Sequence, residues 1–485
     1  MSSHKKSCAV ASVANEFERL PVDIRIRKRI RLVIDRLCEA PDLGFPRALK
    51  TERESEGFYR LLNNRRLTYA SLVSAHAEET LGRIPSGETI RIVHDTTEFS
   101  FGGEHERVGL GRTRTEASAQ GFFAHLALAT TADATRRPLG VVGAHCWARG
   151  KKSRGNRRMT GQQLAKIDGK ESDRWRQLVE DTEELVRERA SAVHLMDREG
   201  DSYALFATMV SMGARFVVRM AKDRVVFEEE GVDEVLRLSE ALVAFPELAT
   251  REVAIGKRVS KPTPRSAKSH PPRVERTAKL AFSAGTVTLK RPRYLDETYP
   301  ESLTLNVAYV REVNAPTDAE PVSWVLVTSE PVRTAEEVEA VVDHYRSRWI
   351  IEEFFKALKT GCAFEERQLE SFASLTNALA LFFPIAWQML LVRTAARQKP
   401  DAPAETVFTA TQIKVLRHCQ PQKMPLNATV LDALYAVAGQ GDHLKQNGYP
   451  RWRTLAYGMQ DIIKMAAIWD ASARDTEKTQ LRSDQ

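Results

Sequence analysis

Two kinds of hydrophobic spacing divide the chain. From about residue 15 to 82 the apolar positions recur at helical intervals. Ile24, Ile26, Ile30, Leu32, Val33, Ile34 and Leu37 are interleaved with Arg25, Arg27, Lys28, Arg29 and Arg31, and a second stretch runs through Phe58, Tyr59, Leu61 and Leu62 to residues 67–72. This predicts a small basic helical module, which fits equally a solvated cap on a larger domain or a binding module. After Gly87 the spacing turns strand-like. Ile90, Ile92 and Val93 lead into His94-Asp95-Thr96-Thr97, followed by Phe99 and Phe101, and further strands are expected over 122–130 and 139–147. A charged helix follows over 171–190, with Trp175, Leu178, Val179, Thr182 and Leu185 on its repeat. A short apolar strand, 192–196, then runs directly into Asp197. A helix over 202–212 and a strand over 216–219 complete the block. The order predicts an α/β fold with a mixed sheet covered on both faces. Between about 224 and 330 the block is interrupted by a β-rich insertion, with strands at 286–289, 303–310 and 324–328.

Composition narrows the class. The chain has 485 residues, 28% of them charged and 42% hydrophobic, and at roughly 100–200 residues per domain this suggests two to four domains. No apolar run is expected to approach the ~20 residues of a membrane span. The polar first residues lack a signal-peptide core, so no membrane partner is expected and a cytoplasmic location is. Five scattered cysteines, Cys8, Cys38, Cys146, Cys362 and Cys419, contain no CxxC pair and suggest neither a zinc site nor a disulfide framework. The net charge of +8 favours a polyanionic partner. Its distribution says more: residues 251–293 hold 12 Lys or Arg against 2 Glu, and within them the Pro-, Ser- and Lys-rich stretch 256–279 is expected to be a basic loop or a disordered surface excursion.

The most informative chemistry lies past the insertion. Thr334 and Glu337 have capping-box spacing, and one helix is expected from about 335 to Gly361. Tyr345, Arg348, Glu352 and Lys359 would then share about 60° of arc on one face, with Glu353 turned away from it. An ordinary surface stripe with ion pairs such as Arg348–Glu352 fits the same spacing. Asp95 and Asp197, each at a strand, are of the type that faces a crevice at the sheet, although helix capping is the commoner use of such an Asp and is expected for Asp201. Two aspartates and a helical glutamate supply the hard oxygen ligands that Mg²⁺ or Mn²⁺ takes. Two such ions can drive an in-line phosphoryl displacement.

On these residues the chain resembles the DDE transposases of bacterial insertion sequences, the IS-four group with a Y-x2-R-x3-E-x6-K signature. The signature reads Tyr345, Arg348, Glu352 and Lys359, with His94-Asp95-Thr96-Thr97 and Asp197-Arg198-Glu199-Gly200-Asp201 as the two aspartate motifs. The likeness runs from Glu56-Gly57-Phe58-Tyr59-Arg60 to the region of Trp452. It implies an RNase H-like catalytic core over 83–375 with the insertion at about 224–330, flanked by a helical end-binding domain, 1–82, and a helical dimerisation domain, 376–485. It further implies that Asp95, Asp197 and Glu352 hold two Mg²⁺ or Mn²⁺ ions and that Tyr345, Arg348 and Lys359 bind phosphates of the transposon end. Arg219 would lie near the active site. Trp324 would stack on a base flipped out during hairpin formation, although a core aromatic on a strand remains the other reading.

The implied reaction is cut-and-paste transposition: nicking, hairpin formation, hairpin opening, and joining of 3′-OH ends to target DNA. The implied partners are double-stranded DNA, both terminal inverted repeats and target, and a second copy of the chain in a homodimer. A stripe of Trp452, Leu455, Met459, Ile462, Ile463 and Ala466 on one C-terminal helix face suits either dimerisation or packing within the chain. Two departures stand out. Gly200 replaces a usual Ala, an exchange expected to be harmless, and Ala221 stands where a second basic residue is found. A catalytically silent DNA-binding inhibitor of transposition and a stand-alone RNase H-like nuclease are the competing readings.

Overall fold

The computed structural model describes residues 13–103, 105–113, 120–150, 171–228, 234–257, 273–317, 319–444, 446 and 448–483. Most of the basic loop, 258–272, lies outside them.

Helix α1 (Ile24–Glu39) starts at Asp23, whose carboxylate accepts the Arg25 N–H, and buries Ile30, Val33, Ile34 and Leu37. Thr51 caps α2 (Glu52–Leu62), and a Thr68–Ser71 capping box starts α3 (Tyr69–Arg83). Strands β1 (Thr89–Phe101), β2 (Gly111–Arg112), β3 (Gln120–Thr131) and β4 (Pro138–Trp147) follow. Next come α4 (Glu171–Val186), β5 (Ser191–Met196), α5 (Tyr203–Ser211) and β6 (Arg215–Arg219). The insertion forms β7 (Val225–Phe227), β8 (Val235–Arg237), β9 (Glu247–Ile255), β10 (Arg276–Lys290), β11 (Ser302–Val313) and β12 (Ser323–Thr328). After it come α6 (Ala335–Ser347), α7 (Ile350–Lys356), a π turn over Ala357–Gly361, α8 (Phe372–Gln398), α9 (Ala410–Cys419), α10 (Val430–Gln440) and α11 (Trp452–Ser483).

The chain clusters into two compact units, one of residues 1–156, 181–191 and 349–485, the other of 157–180 and 192–348. Both expected domain boundaries, 82/83 and 375/376, fall inside the first unit, the second of them within α8.

In the first unit β1 pairs antiparallel with β3, and β3 with β4 and β2. Helices α3 and α8 pack on β4. Their approach is close at Gly140, where φ is +142° and a Cβ would stand 2.2 Å from the Thr80 hydroxyl oxygen. A buried polar knot ties the first described turn to this packing. Val141 N–H donates to His76 Nε2 at 3.1 Å, so the ring proton sits on Nδ1 and is donated to Glu16 at 2.6 Å, while Arg83 pairs with the same carboxylate. A second tie is made by Arg367, 1% exposed, which donates to the carbonyls of Pro41, Leu43 and Cys362. Its guanidinium lies 4.9 Å from the ring centres of both Phe45 and Phe382.

In the second unit the strand order is β5-β6-β12-β11-β10-β7-β8, with β9 on β10. The β5–β6 pair is parallel and the others antiparallel, so the sheet is mixed. The insertion therefore extends the sheet of the block it interrupts, because its last strand pairs with β6 through Leu326 and Arg219. Phe206 of α5, Phe216, Val218, Leu289, Leu305 and Val327 share one core.

Two expectations are corrected here, and one reading left open is narrowed. The single helix over 335–361 is two helices and a π turn. At Arg348-Trp349 the backbone stays right-handed, but the N–H bonds of Arg348 and Glu352 reach back only three residues, to Tyr345 and Trp349, which tightens the coil. A segment long and apolar enough to span a membrane does exist: α8 contains an 18-residue window of mean hydropathy 1.7. Its apolar window is entirely buried, because α3, α10 and β4 pack around it, and it serves as the core helix of its unit. The C-terminal stripe is also covered from within. Trp452, Leu455, Met459, Ile462 and Ala466 are each under 9% exposed, as α11 packs on α1, α9 and α10, so this face lends no support to a dimer.

Candidate active site

Asp95 lies in the middle of β1, opposite Leu126, half-buried, with Oδ1 accepting the Thr96 N–H at 2.7 Å. Strand alternation places it on the same face as Val93, Thr97 and Phe99. That is the face met by the segment after α7: the Lys359 ammonium lies 5.4 Å from the Phe99 ring centre, donates to the Glu98 carbonyl and stands 3.7 Å from Glu365. Helix α7 itself packs on β1 and carries Glu352, also half-buried. The first unit thus brings Asp95, Glu352 and Lys359 to one strand and the elements against it.

Adjacent Glu353 has a different environment. It is 8% exposed, accepts from Lys356 at 2.6 Å and Arg397 at 3.3 Å, and lies 3.6 Å from Arg393. Burial alone would raise its pKa, but these three cations outweigh it and hold the carboxyl below its ordinary value. Its engagement agrees with the expectation that Glu352 is the residue turned the other way.

The second unit gathers another set. The half-buried indole of Trp324 on β12 meets Tyr345 edge-on at 5.4 Å, and the Arg219 guanidinium lies 5.9 Å from the indole. Arg219 also donates to the Ser323 carbonyl at 3.2 Å. Trp324 is therefore not a fully buried core aromatic. Arg348 follows as the C-cap of α6. At the end of β5, half-buried Asp197 caps the short turn Arg198–Gly200, with Oδ1 accepting the Glu199 N–H at 2.8 Å. Asp95 and Glu352 belong to one unit and Asp197 to the other. Among the described residues, no three His, Cys, Asp or Glu side chains are gathered so as to hold a metal ion.

Two readings near Asp197 change. Asp201 does not cap α5, whose N-cap is Ser202 without a side-chain bond. Buried to 3% exposure, it accepts from the N–H groups of Ala221 and Lys222, each at 2.8 Å, and from Arg224, fastening the loop after β6. Arg224 was not legible as a partner, because nothing in the sequence joins positions 23 residues apart. Gly200 is not a neutral exchange either, since a Cβ there would stand 2.8 Å from Met196 Cβ.

Comparison with known proteins adds a family. Residues 154–385 match the family described as the transposase DDE domain, a span that includes Asp197, Tyr345, Arg348, Glu352 and Lys359 and leaves Asp95 outside. Among solved structures, the chain resembles a piggyBac transposase in a cryo-EM synaptic complex with hairpin DNA. Identity is 9%, coverage is 78% of this chain and 73% of that one, and the TM-score is 0.32, too low to bear on the fold.

Proposed function

We propose that this chain, which carries a transposase DDE domain, is a cut-and-paste DNA transposase with an RNase H-like core. The match of residues 154–385 carries the proposal, and the packing of α7, bearing Glu352, on β1, bearing Asp95, supports it. Asp95, Glu352 and Asp197 are all half-buried carboxylates, the kind of hard oxygen donor that Mg²⁺ or Mn²⁺ takes. Two bound ions would supply activation of water or a 3′-hydroxyl and stabilisation of the leaving oxygen. The chain's own residues do the rest. Arg348 and Lys359 bring positive charge to DNA phosphates and Tyr345 a phenol, while the exposed part of Trp324, with Arg219 beside it, offers a stacking surface to an extruded base. The N-terminal helices, with the basic α1 foremost, recognise the transposon ends, and a homodimer pairs two of them.

A cleavage assay with Mg²⁺ on a labelled duplex carrying the element's end, comparing wild type with Asp197→Ala, tests this. The expected result is a nick at the element boundary and then a hairpin, both absent in the variant. Specific binding without a cut would replace this reading with that of an inhibitor of transposition, and cutting without preference for the end with that of a general nuclease.

A further inference from the structure

Two adjacent carboxylates leave α7 about 100° apart, so what fixes the rotation of one fixes the other. The apolar side chains of α7, Ile351, Phe354 and Phe355, are non-directional anchors. Glu353 is directional: its carboxylate is held by Lys356 from its own helix and by Arg393 and Arg397 from α8. Arg393 is held in turn. Its guanidinium stands 4.7 Å from the Tyr449 ring centre and 4.6 Å from that of Trp452, and it donates to the Pro450 carbonyl. The Tyr449 hydroxyl closes the loop by donating to the Arg393 carbonyl at 3.2 Å. Rotation of α7 would take the buried charge of Glu353 away from its two partners on α8, Arg393 and Arg397.

We infer that Glu353 is a positioning residue for Glu352. The series Tyr449 and Trp452, Arg393, Glu353 sets the rotation of α7, and with it the place of the neighbouring carboxylate against β1 and Asp95. The inference rests on the proposed role of Glu352 as a metal ligand.

The test uses the full chain and two readouts: Mn²⁺ affinity, from the electron paramagnetic resonance signal of free Mn²⁺, and Mg²⁺-dependent nicking of the end duplex. Glu353→Gln should weaken Mn²⁺ binding and slow nicking by about tenfold each, while duplex binding stays within about twofold of wild type. A merely structural role would lower duplex binding together with nicking and leave the Mn²⁺ affinity of the folded fraction unchanged. Arg397→Gln, at a half-exposed cation, should shift both readouts the same way by less, and it decides the matter if Glu353→Gln does not fold. Wild-type Mn²⁺ affinity in either folded variant overturns the inference. If wild-type protein binds the duplex but neither takes up Mn²⁺ nor nicks, the reading of Glu352 as a ligand fails, and this inference fails with it.

Discussion

A single missing methyl shows how closely the surroundings of Asp197 are built. Gly200 closes the turn that Asp197 caps, and any Cβ there would stand 2.8 Å from Met196 Cβ, close to the backbone, as well as 3.1 Å from its Sδ. Gly200→Ala is expected to destabilise the protein by about 1–3 kcal/mol, as overpacking does, and to shift the end of β5. Thermal melts and nicking rates measured together would check this, and an unchanged melting temperature would refute it. Trp324 makes a different demand. Replacing it with Ala should leave nicking intact and slow hairpin formation, since base–aromatic stacking contributes about 1–3 kcal/mol per base. Gel separation of nicked and hairpin products reads both steps from one reaction. At this scale the sequence was legible as far as residue type proposes a chemistry, as it does for Asp95, Glu352 and Lys359. It was not where contact with a distant segment decides. Asp201 reads as a cap until Arg224 and the 221–222 backbone fold onto it, and Glu353 reads only as turned away from its neighbour's face until α8 brings it two cations.

Elements followed from the sequence when their hydrophobic period was clean. β1 and β5 emerged where expected because alternation or an unbroken apolar run leaves few other solutions. Strand β10 was only partly visible. Over its first half buried Ala278 and Leu280 alternate with exposed Thr277 and Lys279, a period hidden within a stretch whose charge drew the reading towards a loop. The break between α6 and α7 had no Pro or Gly to mark it. The start of α6 was marked, and the structure shows both arms of its capping box, Thr334 to the Glu337 N–H and Glu337 back to Thr334. Thr334→Ala should cost about 1 kcal/mol. Hydrogen exchange should show the loss concentrated in the first turn of α6, with the amides of α7 unaffected; a uniform loss across both helices would contradict their separation at Arg348-Trp349.

For the molecule as a whole, one response to acid is built into the knot of Glu16, His76 and Arg83. Burial alone would raise the Glu16 pKa, but His76 and Arg83 bring it below its ordinary value of 4.5. A carboxyl lowered on folding stabilises the native state above the unfolded pKa, and that contribution is lost as pH falls through the lower, folded value. The Glu16 contribution should therefore be level near neutrality and decline below about pH 4.5 as the unfolded chain takes up the proton. Glu16→Gln should remove this decline and cost about 3–5 kcal/mol at neutral pH, because Arg83 then loses its buried partner. Denaturant melts of the two proteins between pH 3 and 7 would show it, and parallel pH profiles would refute it. A mixed α/β fold and the order of its elements were readable at this scale; the two compact units are each assembled from discontinuous stretches, which no local pattern marks.

Arg367 also bears on how such a chain can be inherited. Its guanidinium is shared between carbonyls at residues 41 and 43, in the helical N-terminal region, and the carbonyl of Cys362, just past the turn that carries Lys359. The proposed end-reading segment and the proposed phosphate-holding segment thus meet on one buried cation. A recombination event that exchanged the first 82 residues for those of a relative would have to reproduce the path of the 41–43 backbone, or leave that cation short of acceptors. New end specificity is therefore expected to arise by substitution on the exposed faces of α1 and α2, with the chain passed on as one piece.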